Sequence, residues 1–539
     1  GELTGLKNIE PPVRLMLYPY ASTVISKIGD NSITDDYHIG MDIKYGISEN
    51  FTLDATLIPD FSQAGFDDVQ LNLGPFEQQF SEQRQFFKEG IDLFTKGNLF
   101  YSRRVGNAPS GNPELEANEE IPNYPDKVKT LNAFKISGRT KNGLGIGVFN
   151  AITEKTYATI KDTLTQNSRK ALVEPLSNYN IFVIDQQFNG NSSVSLVNTN
   201  VTRNGHFKDA NVTAALLDFA NKKNTIGIEA AVKHSFLNLE NEDNQSGFST
   251  EFEIGKISGN YQYGISHELA DEAYDINDLG INFRNNFSEF SAELSYRIFE
   301  PSEKFLRFDY NLWFNYNMLY NPSTYTGKNI GGNIHFRNNN LLDYGGRFSY
   351  DIGKQYDYYE ARTEGVYWIY ENWATASVWA SSNYNNKFAY DASLGFGAIF
   401  ENGRDMFNFN FDFSPRVRFS DKLTLVYKIE YSSSNGDRGY IEDLGSDIIF
   451  GERNRATMVN SLTGNYNFNV YHALSLSFRN YWSVVTYDEQ LFTLEDNGRL
   501  STDKNYTVND IDNPDVNFNT WNLDFGYSWQ FAPGSMLTA

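Results

Sequence analysis

Six histidines stand in the sequence, His38, His206, His234, His267, His335 and His472, and they are scattered singly. None belongs to an HExxH pair or another spacing that would present two imidazoles to one metal ion. No GxSxG elbow is present to raise a serine for nucleophilic attack, and Gly445-Ser446-Asp447 reads as loop. Gly143, Gly145 and Gly147 resemble a phosphate-cradling loop, but they alternate within a strand pattern and no helix follows. Glycines placed that way ease bends and close packing. The acidic clusters Glu240-Asn241-Glu242-Asp243, Asp271 to Asp278 and Asp510 to Asp515 lack the central Gly and terminal Glu of a calcium loop, so they read as solvated loops. Asp162-Thr163-Leu164 matches a short bacterial O-glycan acceptor pattern, which makes Thr163 a candidate for modification. These residues predict no catalytic centre, no metal site and no cofactor. A hydrolase with dispersed Asp, His and Ser is the remaining enzyme reading.

The elements that must carry these residues follow from composition and periodicity. Aromatic residues make up 15% of the chain, 42 Phe, 34 Tyr and 7 Trp, yet mean hydropathy is -0.50. The rings are diluted residue by residue with Asn, Asp, Ser, Thr and Gly, as expected when one side of every strand meets lipid and the other meets water. Tyr37, Ile39, Met41, Ile43 and Tyr45 alternate with His38, Gly40, Asp42 and Lys44. Phe51, Leu53, Ala55 and Leu57 alternate with Thr52, Asp54 and Thr56. Later, Phe407, Phe409, Phe411 and Phe413 alternate with Asn408, Asn410 and Asp412, and Leu423 to Tyr431 repeats the pattern. A helix turns 100° per residue and could not hold these side chains on one face. No run reaches the roughly 18 apolar residues of a membrane helix, and a closed barrel is the other structure that satisfies its backbone in lipid.

The expected fold is therefore all-β, a transmembrane antiparallel β-barrel of about 24 strands, 22 to 26, in a bacterial outer membrane. A soluble sandwich or propeller would have strands of about five or six residues, whereas these runs reach about ten. Tight turns at Ser48-Glu49-Asn50, Lys141-Asn142-Gly143, Asn189-Gly190-Asn191 and 221–224 contrast with long excursions at 59–129, 153–177, 432–454 and 484–517. Short periplasmic turns and long extracellular loops give this asymmetry, which puts the amino end in the periplasm and the loop near Asp30 outside. Between 270 and 340 the pattern is ambiguous, and Asn277-Asp278-Leu279-Gly280 fits a strand or a loop. The chain opens at Gly1 without a leader, as a processed exported protein would. Met536 to Ala539 begins a strand that stops, so a continuation is expected for closure. The absence of cysteine removes disulfides and thiolate-ligated metals. A net charge of -23 disfavours nucleic acid and fits a solvated acidic exterior, with an acidic cation-selective pore as the other reading.

One block resembles a known family. Leu53 to Gln63 leads into Leu71-Asn72-Leu73, then Phe86-Phe87-Lys88-Glu89-Gly90 and Asn98 to Gly106. This is similar to uncharacterised outer-membrane barrels of Bacteroidota that usually follow an N-terminal family-9-type carbohydrate-binding domain. Gly5 to Ile9 with Pro11-Pro12 resembles that family's junction, which makes 1–12 the link to a domain absent here and 13–539 the barrel. Asp447 to Gly451 and Trp529 to Ser535 resemble its carboxy-terminal signatures. The resemblance implies no established activity, and sugar recognition by the missing domain does not transfer to these residues.

The insert after the third strand, 59–129, mixes rings with charges and lacks alternation. Wide barrels are generally plugged, so Arg84, Phe86, Phe87, Glu89, Arg103 and Arg104 are expected to form a plug or constriction, with Arg103 and Arg104 meeting wall carboxylates. A cap over the rim is the alternative. Tyr18, Tyr20, Trp313, Trp368, Trp373, Trp379, Trp482, Trp521 and Trp529 (with Tyr316 and Tyr370) are expected in aromatic girdles at the headgroup level. A sugar-binding slide in the lumen is the other reading of them. The expected partners are outer-membrane lipid and lipopolysaccharide, with other outer-membrane proteins and glycans left open. The sequence carries no sign of a TonB-type plug domain ahead of the barrel, so energised import is not expected. Three functions follow: a plugged barrel passing or binding polar solutes, with glycan-derived ones among the options, a docking subunit of a larger assembly, or an outer-membrane hydrolase.

Overall fold

The computed structural model describes residues 14–27, 33–59, 67–205, 207–240 and 242–539. The junction 1–12, the loop near Asp30, Asp60 to Gln63, His206 and Asn241 lie outside the described residues. Twenty-four strands belong to one antiparallel sheet, and the described residues contain no α-helix. That strand number, with sequential antiparallel pairing, is the transmembrane barrel class read from the alternation. The chain divides into two compact units: 1–65, 80–253 and 268–287, then 66–79, 254–267 and 288–539.

In the first unit, β1 (Leu15–Ser26), β2 (Thr34–Gly46) and β3 (Phe51–Leu57) form a meander. β4 (Glu119–Asn123), β7 (Thr156–Asp162) and β8 (Ser168–Glu174) make a separate three-stranded sheet. The long excursion expected at 153–177 is thus mostly paired. β3 continues through β5 (Thr130–Arg139), β6 (Leu144–Thr153), β9 (Ser177–Phe188), β10 (Ser192–Arg203), β11 (Asp209–Ala220) and β12 (Ile226–Asn238).

Residues opposite each other in these ladders share a face, and the two faces differ. On β9, Tyr179, Ile181, Val183 and Asp185 are buried, while Phe182 and Ile184 are 42% and 37% exposed. Val194, Leu196, Val232 and Phe236 lie on that outer side and are exposed too. Toward the long-loop end the outer face turns polar. There the Asn150 amide donates to Asn180 at 2.8 Å, and that of Asn198 donates to Asn211 at 3.0 Å and Thr213 at 2.8 Å. An exposed apolar belt ending in a self-satisfied amide rim is what a bilayer edge demands of a strand wall, because unpaired amides are costly in hydrocarbon.

β13 (Gln245–Lys256) and β14 (Tyr261–Ala270) contribute residues to both units. Within the stretch of ambiguous pattern between 270 and 340, residues 271–286 are a loop, and β15 (Phe287–Arg297) opens after it.

The second unit continues with β16 (Phe305–Met318), β17 (Tyr325–Asn338) and β18 (Asp343–Asp351). β19 (Lys354–Asp357) and β20 (Trp368–Glu371) pair only with each other. β21 (Trp373–Ser381), β22 (Phe388–Ile399) and β23 (Phe407–Arg418) resume the meander. β24 (Leu423–Asp443), β25 (Ile448–Asn469) and β26 (His472–Leu494) are 21, 22 and 23 residues long. A tilted strand crosses the bilayer in about 9–11. The segment 432–454, expected as an irregular excursion, is the continuation of the β24–β25 ladder, turning only at 444–447. Within 484–517, β26 runs to Leu494, and β27 (Leu500–Ser501) and β28 (Val516–Ala532) follow. β29 (Ser535–Thr538) is short.

Candidate functional site

Residues 80–107 form a compact insert without strands. Gly90, Gly97 and Gly106 have φ of 60°, 73° and 78°, a left-handed conformation that glycine adopts freely. These reversals fold the segment into three single 3-10 turns, Gln85–Phe87, Lys96–Asn98 and Ser102–Arg104. Arg84 organises the interior. Its guanidinium pairs with Glu82 at 2.7 Å and donates to the Val105 and Ser102 carbonyls, both at 2.7 Å. It also lies over the Phe87 ring at 4.1 Å. Burial opposes ionisation of Glu82, but the hydrogen bonds from Arg84 and Ser102 outweigh it and hold that carboxyl below its ordinary range. Glu89 is also held low, chiefly by the Gln85 amide, then by Lys44.

The insert packs on the buried face of the first unit's strands. Phe87, Phe94 and Phe100 surround Phe149 of β6, with ring centroids 6.1, 6.2 and 5.4 Å away. Close approach is possible because the wall has glycine there. A Cβ on Gly147 would meet the Phe94 ring at 3.1 Å, and one on Gly145 would meet Leu93 at 3.2 Å. The contact joins Phe87, Leu93, Phe94, Leu99 and Val105 to wall residues from β5, β6, β9, β10 and β11 in one core.

Charges pin this apolar contact. Lys96 meets Asp185 of β9 at 2.8 Å, and Arg139 of β5 pairs with the other oxygen of the same carboxylate. The Lys135 ammonium, buried on β5, donates to the Phe86 and Glu89 carbonyls and lies over the Phe86 ring at 4.5 Å. Lys44 of β2 reaches Glu89 at 3.3 Å and Asp54 of β3 at 3.8 Å. Arg104 donates to the Gly280 carbonyl at 2.9 Å, and its guanidinium lies 5.7 Å from the Tyr101 ring centre. Arg103 is the middle residue of the third 3-10 turn, which the Val105 N–H closes on the Ser102 carbonyl. The cation of the insert that grips the buried wall carboxylate Asp185 is Lys96, which carried no motif. Its signal was Asp185 itself, a charge standing inside an apolar strand.

Loop 271–286 covers the insert from its other side, burying Tyr274, Ile276 and Leu279. Its acidic residues are not simply solvated, as expected of Asp271 to Asp278. Asp278 meets Arg203 at 2.9 Å and Lys208 at 2.8 Å, and Asp275 meets Lys208 at 3.5 Å. Beside them, Arg104, Glu174, Tyr179, Arg203, Lys208 and Asp278 line part of a cavity of about 650 Å³. It offers charges of both signs and amides to a polar guest.

The register distributes the aromatics expected in girdles over both faces. Tyr18 and Tyr20 stand opposite Asp42 and Gly40, on the face that carries Lys44 and Asp54 toward the insert. Tyr18 is 43% exposed there, and on the other face of the hairpin Tyr37 is 71% and Tyr45 37% exposed. In the second unit, Trp313, Trp373 and Trp379 stand opposite Gly331, Ile399 and Gly345 on the face shared with Asn311, Asn329, Asn408 and Asp412. They alternate with the exposed Leu312, Phe314 and Val378. Trp368 lies on the detached β19–β20 hairpin. Trp482, Trp521 and Trp529 lie on the apolar exposed face, at 46%, 69% and 39% exposure. Thr163 sits in the exposed turn between β7 and β8, its hydroxyl donating to the Asn118 carbonyl at 2.9 Å.

In the second unit, the main chain of Val69, Leu71 and Leu73 is held by Arg479, Arg455, Tyr481 and Arg362, and Asp68 pairs with Arg479 at 3.4 Å.

The family described as "Domain of unknown function (DUF5916)" matches residues 11–539. No curated relative matches the sequence. Among solved structures, the chain is similar to "Structure of the P pilus usher (PapC) translocation pore", with 10% identity and a TM-score of 0.32 over 89% of this chain and 93% of that one. It is also similar to "Crystal structure of ferric citrate transporter FecA in the unliganded form", with 9% identity and a TM-score of 0.32 over 77% and 70%. For "Copper transporter OprC" the values are 10% and 0.33 over 74% and 69%. At these TM-scores the likeness carries no argument about function.

Proposed function

The chain belongs to the DUF5916 family of unknown function, and we propose that it is an outer-membrane barrel, plugged by residues 80–107, that passes or binds polar solutes without catalysis. One observation carries this reading. The insert packs on the face of β5, β6, β9, β10 and β11 opposite the exposed apolar belt. If that belt meets lipid, the insert occupies the aqueous side and closes it, and a rim cap would not reach Phe149 in mid-strand. The polar wall of Asn, Asp, Arg and Trp in the second unit suits hydroxylated solutes, glycan-derived ones included. The amino end is periplasmic and the long-loop end extracellular in this reading, with lipid and lipopolysaccharide around the belt. Deleting 64–125 raises single-channel conductance in planar bilayers. Equal conductance with and without the insert would remove the plug.

The lengths of β24, β25 and β26 favour a second role. They exceed what a bilayer needs by about a factor of two, and a polar ladder standing clear of lipid makes a docking surface for another outer-membrane protein. Stoichiometric companions in gentle detergent extracts, lost on shortening 432–454, are the expected sign.

A further inference from the structure

The polar face of the second unit holds three tryptophans in one arrangement. Trp313 of β16 stands opposite Gly331 of β17, and Trp379 of β21 opposite Gly345 of β18. A Cβ on Gly331 would overlap the Trp313 ring, and one on Gly345 would stand 3.0 Å from the Trp379 indole nitrogen. A Cβ on Gly397 of β22 would stand 2.8 Å from the Trp373 ring. Each indole therefore lies across a glycine of a neighbouring strand, where a larger residue would lift it from the wall. All three are half-buried, and none of their N–H groups has a hydrogen-bond partner among the described residues.

Arg347 of β18 stands among these rings. It lies opposite Asn333 of β17 and Ser377 of β21 on the same face, it is exposed, and its guanidinium is 5.0 Å from the Trp313 ring centre. It makes no ion pair among the described residues. Carboxylates elsewhere on this face have partners. Asp343 takes His335 at 2.7 Å and Arg337 at 2.9 Å, Asp412 accepts from the Ser393 hydroxyl at 2.5 Å, and Asp391 from that of Ser381 at 2.6 Å. A guanidinium braced by a ring and lacking a carboxylate offers its N–H fork to an anion from outside the chain. Gly345, under the Trp379 ring, is two residues along β18 from Arg347, roughly 7 Å, and Gly397, under Trp373, is two strands across, roughly 12 Å. Asn333, Ser349, Thr375 and Ser377 lie between these points and supply an amide and three hydroxyls.

We propose that Arg347, Trp379 and Trp373 form a binding site for an acidic oligosaccharide, a chain of pyranose rings that carries carboxylates. The C–H bonds of a saturated ring meet the negative face of an indole, a carboxylate takes the Arg347 fork, and hydroxyls take the amide and hydroxyl groups between. An aromatic acid would stack as well but would leave those groups unused. One sugar cannot reach both rings, so a chain of several is required. The site rests on the reading that this face borders a solute path, and it names the class of solute.

The probe is tetragalacturonate, titrated calorimetrically into the full chain in detergent micelles, with its methyl ester as the uncharged control. The parent binds the acid saturably and the ester about tenfold more weakly. Arg347→Gln brings the acid down to the level of the ester and leaves the ester unchanged, whereas Trp379→Ala weakens both by about fivefold. No saturable binding of the acid at millimolar concentration, equal affinity for acid and ester in the parent, or a preference that survives Arg347→Gln would each overturn the site. The channel reading is scored separately. Absent binding beside a conductance that rises on deleting the insert removes the site and keeps the plugged channel, and the opposite pair of results does the reverse.

Discussion

Asp185 and Lys96 meet at 2.8 Å, and the Asp185 side chain is wholly shielded from solvent. The carboxylate also accepts a hydrogen bond from Ser195 at 2.6 Å and pairs with Arg139. One buried anion on the wall thus holds a cation of the insert and a cation of β5, which lies beyond β6. Asp185→Asn leaves two cations without their counter-charge. Removing one partner of a buried pair costs about 3–5 kcal/mol. The lower end applies here, because Lys96 and Arg139 keep 28% and 29% side-chain exposure. Hydrogen exchange across 84–105 should rise while the strands stay protected. Unchanged exchange would mean that the pair does not hold the insert.

The packing around Phe149 supplies a second handle. It is 2% exposed and touches three insert rings. Phe149→Ala costs the docked state about 3–5 kcal/mol and raises conductance as a partial release would. Gly147→Val, which drives a side chain into Phe94, releases the insert from the wall side without touching it. The two variants should behave alike in bilayer recordings.

Acid weakens the insert. The Glu82 pKa is depressed below its ordinary 4.5 in the folded insert. A depressed carboxylate stabilises fully above its unfolded value and loses that contribution as pH falls through the folded one. Conductance or exchange at 84–105 is therefore flat well above pH 4.5 and rises progressively below it. Glu82→Gln removes that part of the acid slope. A slope that persists unchanged in Glu82→Gln would assign it elsewhere.

The two faces of the second unit differ in what they tolerate. Leu523 lies on the exposed apolar face and is 55% exposed. Leu523→Arg costs about 2–4 kcal/mol if it sits near the bilayer centre. Asn410→Arg, on the opposite face, folds into lipid vesicles nearly as the parent does. Heat-modifiable mobility in gels after refolding reads both.

Strands such as Phe407–Arg418 and Thr34–Gly46 were legible because one side meets an apolar surface and the other does not, which leaves a period of two in the sequence. Where neither side is uniformly apolar, the period disappears although the pairing persists. Ser432 to Tyr440 therefore reads as loop and folds as ladder. The face taken by an aromatic was not legible at all. Trp482 and Trp313 sit in equally alternating strands, and a one-residue change of register exchanges the faces. The insert's compactness showed in its rings and missing alternation, but its docking place did not, since Leu144 to Phe149 is apolar or glycine on both sides. Gly145, Gly147 and Asp185 were the marks of the contact, and they gain that meaning only once β6 and β9 are seen side by side.

The central claim is that the strand wall separates lipid from the insert, and a chain without cysteine allows it to be read directly. Single bimane labels at Phe182→Cys, on the outer face of β9, and at Thr95→Cys, on the insert, are compared in vesicles. Brominated lipid should quench the Phe182 label and spare the Thr95 label, and aqueous iodide should do the reverse. Equal quenching of both labels by brominated lipid, or protection of Phe182 from it, would contradict the account.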